Sequence, residues 1–348
     1  MTATTSAKTH WPGLDGLRGV AALVVVVFHV SLGQAVNGYA GVDVFFALSG
    51  FLITWLLLAE RDRFGRVSLK QFYVRRLLRL YPALVATCLL VLGLAVVGGA
   101  VRDVVPGILA ALGYVSNWWL RTGGEAPMLE HTWTLAIEEH YYLIWPLLIT
   151  GFFARARWIR VLAVAVAAAG VVAVLVPWPG SVDGVRLSYV RGTPIVWGSL
   201  LAVAIRRGWL DGAARLLPWI GALSAVALLT LLVVPWPAPF TWMEGFTSIP
   251  GALSILVVAA IVVVPGSLPW LAWAPLVWAG RRSYGIYLYH FPLLSLLRHH
   301  VDVGSIELRM AVGVVATLVV AALSYHFVEK PFLRMKDRFH ARPVSQTT

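Results

Sequence analysis

Cysteine is nearly absent from this chain. Cys88 is the single one among 348 residues, and it sits inside an apolar run. An intramolecular disulfide and a cysteine-based zinc site are therefore excluded, while the redox compartment stays open. Charge is scarce too: Asp, Glu, Lys and Arg make up 13% of the residues, where soluble domains carry about a quarter. Negative charge is the scarcer sign, with 16 acidic residues against 28 Lys and Arg. The net +12 would suggest nucleic acid only if the basic residues formed a patch. They are dispersed over connections instead, so no nucleic-acid partner is expected. Internal repeats and low-complexity blocks are also missing. What fills the chain is apolar: 59% hydrophobic residues, a mean hydropathy of +0.79 and 16 Trp, a residue that collects in interfacial belts. This composition describes an integral membrane protein, an all-α polytopic helix bundle.

The length accommodates roughly ten spans of about 20 residues. Apolar segments bounded by breakers fall at 14–33, 41–60, 80–100, 132–150, 160–178, 192–206, 214–234, 246–264, 283–300 and 308–328. No small-residue cleavage site follows the polar start MTATTSAKTH, so the first span is expected to be retained. With the N-terminus in the cytoplasm, basic residues gather in the inner loops. Arg61, Arg63, Arg66, Lys70, Arg75, Arg76 and Arg79 follow the second span. Arg155, Arg157 and Arg160, then Arg206, Arg207 and Arg215, then Arg281 and Arg282 occupy the next ones, and Lys330, Arg334, Lys336 and Arg338 the tail. Outer loops keep scattered arginines such as Arg102, Arg121, Arg186 and Arg191. This bias puts both termini in the cytoplasm. The stretch 104–120 is left out of the count as a re-entrant or interfacial piece, because as a span it would move every later loop across the membrane. A single membrane domain over 1–340 and a short polar tail, 341–348, are expected.

Ionisable groups inside spans are costly and usually face the bundle interior. Arg18 and His29 stand near the two ends of LDGLRGVAALVVVVFHV. Eleven residues on a helix return to within about 20° of the starting direction and rise about 16 Å, so both are expected to look into one interior cavity. Asp15, a turn before Arg18, is placed to orient it. Asp43 in GVDVFFALSGF enters from the outer side at about the depth of His29, where a carboxylate would fix the imidazole tautomer; a helix cap is the alternative. Ser49 lies near mid-membrane, where small residues allow close helix packing. In HTWTLAIEEHYYLIWP, Glu138 shares a face with Thr134 and Tyr142, and Trp133 suits the outer interface. His290 lies near mid-membrane one turn after Tyr287, in a pore-lining or a packing role. Arg75, Arg76 and Arg79 occupy little more than one turn, a spacing fit for a phosphate clamp or for ordinary positive-inside charge and anionic membrane lipid.

At these residues the chain resembles the acyltransferase 3 family of bacterial membrane O-acyltransferases. The match runs through LDGLRG, GVDVFFALSGFLI, RRLLRLYPA, HTWTLAIEEHYYLIWPL, SYGIYLYHFPL and SYHFVEKPF, in order over nearly the whole chain. Arg18 and His29 fit the family's Arg-ten-residues-His signature, and Glu138 the first glutamate of its Trp-Ser-Leu-x-x-Glu-Glu motif. Thr134 stands where Ser is usual and His140 where Gln is common. Some relatives carry a fused esterase-like domain, and none is expected after the last span here.

The resemblance implies an enzyme of the plasma or inner membrane. Its donor would be cytoplasmic acyl-CoA, chiefly acetyl-CoA, bound as a substrate with no permanent cofactor or metal. Arg18 and the Arg75, Arg76 and Arg79 cluster would hold the donor's phosphates. His29 would act as general base, or as a covalent acyl carrier. Asp43 or Glu138 would orient it, or Glu138 would position the acceptor. Trp133, Ser49, Tyr287 and His290 complete the expected substrate-binding set. The acceptor would be a hydroxyl of a glycan, a lipid-linked sugar or a secondary metabolite. A proton-coupled secondary transporter, using the same groups as a relay, is the rival from another class.

Overall fold

The computed structural model describes residues 10–32, 36–152, 189–234, 248–300, 305–336 and 338–339, and all of its regular structure there is helical. The order is α1 (Pro12–Val30), α2 (Tyr39–Phe64), α3 (Leu69–Gly98), α4 (Val101–Leu112), α5 (Ser116–Arg121), α6 (Trp133–Phe152) and α7 (Thr193–Arg206). Then come α8 (Leu217–Val233), α9 (Ser248–Val263), α10 (Ala274–Arg281), α11 (Ser283–His300), α12 (Ile306–Ser324) and α13 (Lys330–Lys336). A π-helical turn, Tyr325–Glu329, joins the last two. Among the described residues, four stretches are long and apolar enough to cross a membrane: α1, α2, α3 and the continuous Glu307–Lys336. Three apolar helices of 10–17 residues accompany them.

The expected segments at 14–33, 41–60, 80–100, 132–150, 192–206, 214–234, 246–264, 283–300 and 308–328 each coincide with a helix. The fifth, 160–178, lies outside the described residues, as do Arg155, Arg157, Arg160 and Arg186. The 104–120 stretch is broken. α4 has 12 residues, about 18 Å of rise against a hydrocarbon core of about 30 Å, and it stops before Tyr114, whose φ is 54°.

Close helix contacts hold the site in place, and glycines permit them. Gly16 and Gly19 flank Arg18 in the first motif. A Cβ on Gly16 would meet the Leu271 carbonyl, and one on Gly19 the Leu276 carbonyl, so α1 lies with its backbone against the segment leading into α10. Contact is reciprocated, since a Cβ on Gly280 would strike the Asp15 carbonyl. α2 and α7 meet in the same way through Gly50 against Ile195 and Gly198 against Ala47. The Ser199 hydroxyl donates to the Gly50 carbonyl at 3.0 Å across that contact. Such backbone approach is how membrane helices gain packing energy without a hydrophobic drive between them.

Gly50→Val inserts three carbons where the Ile195 carbonyl already sits. We expect it to destabilise the fold by at least about 1–3 kcal/mol, read as a lower thermal midpoint and less monodisperse protein in detergent. Gly93→Ala, where a Cβ meets nothing, is expected to leave both unchanged.

Candidate active site

A polar cavity of about 530 Å³ opens between α1, α2, α3, α6, α11 and the C-terminal turn. Arg18, Arg76 and Arg79 line it, with Arg281 and Lys336 toward one end and Ser49, Thr134, Glu138 and Tyr287 toward the other. The Arg18 Nε is buried without a hydrogen-bond partner. Arg76 donates to Glu139 at 3.3 Å and lies 3.4 Å above the Tyr142 ring, a cation–π contact that fixes its plane. Ser49 Oγ donates to Glu138 Oε1 at 2.8 Å. Ser49 therefore does more than allow packing: it holds the glutamate against the cavity wall. Glu329, from the π-helical turn, adds a buried carboxylate.

Beyond this cavity lies a chamber of about 30 Å³, room for a water-sized group, lined by His29, His131, Trp133 and Phe291. The imidazoles of His29 and His131 line it, and that of His290 adjoins both. His29 Nδ1 lies 2.9 Å from the Val25 carbonyl and 3.3 Å from His290 Nε2. His290 Nδ1 lies 2.5 Å from the Tyr287 carbonyl. A ring nitrogen against a carbonyl must donate, so both Nδ1 atoms carry their protons and His290 Nε2 accepts, which makes Nε2 the basic nitrogen of a neutral His29. His131 and His290 have ring centroids 5.1 Å apart, and His131 stacks on Phe291 at 5.1 Å. Among the described residues no three His, Cys, Asp or Glu side chains are gathered as metal ligands.

The expected single cavity is thus two voids. Val42, Thr134 and Tyr287 line both and form the partition. The Tyr287 hydroxyl donates to the His131 carbonyl at 2.8 Å and lies 2.7 Å from Thr134 Oγ1, which is itself 3.3 Å from that carbonyl.

Four local expectations are corrected. Asp43 does not orient His29. It is buried 3.4 Å from Arg191, whose Nη2 also donates to the Tyr39 carbonyl; a buried carboxylate demands a full countercharge, which a neutral imidazole cannot supply. His290 orients His29 instead. Asp15 turns from Arg18 toward His10 at 2.7 Å and Arg281 at 3.4 Å, because the glycine contacts set that side of α1 on α10. Arg75 leaves the clamp and pairs with Glu60 at 2.6 Å. It is 100° from Arg76 around the helix, with Arg79 between them, so the stripe is too wide for one pocket. Trp133 is buried against Val42, Phe46, Ile137 and Ile195 rather than interfacial.

The family model for an acyltransferase domain, acyltransferase 3, matches residues 11–326. The chain belongs to the acyltransferase 3 family. It is 34% identical to a putative peptidoglycan O-acetyltransferase of Bacillus subtilis, over 98% of this chain and 57% of that protein. It is 30% identical to a peptidoglycan O-acetyltransferase of Listeria monocytogenes, over 94% of this chain and 56% of that one. Putative O-acetyltransferases of Staphylococcus aureus are 31% identical over 93% of the chain. The chain thus spans little more than half the length of these relatives. No solved structure matches it.

In this member of the family, sequence reasoning missed His131, Arg191 and Glu329. The signal for His131 was present: 131, 134 and 138 share one helical face, so the residue just before the span points where Thr134 and Glu138 point. Arg191 counted as one more outer arginine, and only tertiary packing carries it inward.

Arg191→Gln leaves the Asp43 charge buried and unpaired. We expect a loss of about 3–5 kcal/mol, seen as a lower thermal midpoint. Adding Asp43→Asn to it is expected to recover most of that loss, because the uncompensated charge is gone.

Proposed function

We propose that this acyltransferase moves an acetyl group from cytoplasmic acetyl-CoA to a hydroxyl of a glycan on the far side of the plasma membrane, with ten spans and both termini in the cytoplasm. The observation that carries the proposal is geometric: an arginine-lined cavity ends one side-chain layer short of an oriented imidazole. Arg18, Arg76 and Arg79 offer guanidinium forks to the donor's phosphates. The acyl end of the pantetheine arm lies toward Thr134 and Tyr287. Across that layer His29 Nε2, the basic nitrogen of the neutral ring, takes the acceptor's hydroxyl proton as the oxygen attacks the thioester carbon. The carbon–sulfur bond breaks, the ester forms, and the proton passes to the departing sulfur. Glu138, held by Ser49, stays on the donor side and shapes the deep end of the cavity. The names of the relatives support acetyl as the group and a glycan as the acceptor.

Purified protein, acetyl-CoA and a chitooligosaccharide acceptor test this, with ester formation followed by mass spectrometry. Folded His29→Ala is expected to lose about 10²–10⁴-fold in rate, and wild-type rates from it would defeat the proposal. Arg76→Ala and Arg79→Ala are expected to raise the KM for acetyl-CoA tenfold or more. Arg75→Ala, which removes a partner of Glu60 outside the cavity, is expected to leave that KM unchanged.

A further inference from the structure

His131 is the one imidazole of the chamber whose ring hydrogen is unspent. The residue is 4% exposed, and neither Nδ1 nor Nε2 makes a hydrogen bond. The Leu288 carbonyl lies beside the ring but outside hydrogen-bonding geometry. An orphaned buried N–H is rare and costly, and calls for a function. The ring is also held: it stacks on Phe291, its centroid is 5.3 Å from that of Tyr287, and its own carbonyl anchors the Tyr287 hydroxyl. The hydroxyl hydrogens of Thr134 and Tyr287 are committed to the partition, and His29 Nδ1–H to Val25 and His290.

We propose that His131 is a further catalytic residue, whose ring N–H hydrogen-bonds the thioester carbonyl oxygen; this rests on the transfer proposed above. As the acceptor oxygen bonds to the acyl carbon, the carbonyl electron pair moves onto that oxygen, and a donor fixed in a water-poor chamber stabilises the charge that develops. The pair then returns, the carbon–sulfur bond breaks, and the proton held on His29 goes to sulfur. His131 keeps its own proton throughout. The two imidazoles divide the work: His29 offers a lone pair, His131 a hydrogen.

Two near-isosteric variants separate this from packing. His131→Gln keeps an N–H donor, and His131→Phe keeps the ring and the stack on Phe291. Rates with acetyl-CoA and a chitooligosaccharide, normalised to monodisperse protein, are expected to fall about 10²–10³-fold in the Phe variant, with both KM values within threefold of wild type. The Gln variant is expected to recover at least tenfold over Phe. Infrared difference spectra with [1-¹³C]acetyl-CoA give an acceptor-free readout: the bound thioester carbonyl stretch shifts to lower frequency in wild type and Gln, and loses the shift in Phe. A Phe variant with the wild-type rate, a Gln variant no better than Phe, or a shift that survives in Phe overturns the role of His131 alone. Absence of any bound acetyl-CoA signal in wild type overturns the proposed function, and this role with it.

Discussion

A single hydrogen bond, Thr134 to Tyr287 at 2.7 Å, divides the interior of this protein. On one side lie the guanidinium groups of Arg18, Arg76 and Arg79, on the other the imidazoles of His29, His131 and His290. The division keeps the cationic cavity from merging with the histidine chamber. For the transfer proposed above, such a wall limits the access of water to the thioester. The partition draws both hydroxyls and the His131 carbonyl into one short network, so the wall and one of the chamber's rings are positioned together.

Polar groups in this bundle are partnered by the chemistry each requires rather than by sequence proximity. The Asp43 carboxylate takes a guanidinium from the turn before α7, 148 positions away. Glu138 takes a hydroxyl, which stabilises the group without neutralising it and leaves it available at the cavity wall. His29 takes a backbone carbonyl four residues back, a local bond that the helix supplies wherever a histidine sits so, and then a second ring. Burying an ionised group without such partners costs several kcal/mol, so these pairings constrain helix placement as firmly as the glycine contacts do.

Most of the architecture was legible in the sequence, because lipid imposes a length and a composition on each span and the positions of Arg18, His29, Glu138 and His290 follow from helical periodicity. What escaped was the choice of partner. Asp43 and His29 are matched in depth, yet depth says nothing of azimuth on separate helices, and Arg191 wins by charge. Arg75 resembles Arg76 and Arg79 in type and spacing, yet Glu60 turns it away. The single cavity expected from the Arg18–His29 periodicity divides because Tyr287, from α11, reaches between them, and a pattern within one helix carries no record of what another inserts.

The partition also bears on how binding and reaction are coupled. In the proposed transfer the Thr134–Tyr287 contact must yield for a thioester to meet His29, and giving up this hydrogen bond between buried hydroxyls costs on the order of 1–3 kcal/mol. In the proposed complex the contacts at the arginine end are made by parts of the donor that do not react, and binding energy from such remote groups is what enzymes use to drive a distortion near the reacting centre. Phosphate–guanidinium pairs, each stronger than a neutral hydrogen bond, are well matched to that cost. On that proposal the arginine that opens the first helix and the histidine that closes it act in sequence through a third side chain: binding of the donor's charged end offsets the opening of the Thr134–Tyr287 contact, and the thioester then reaches the histidine chamber.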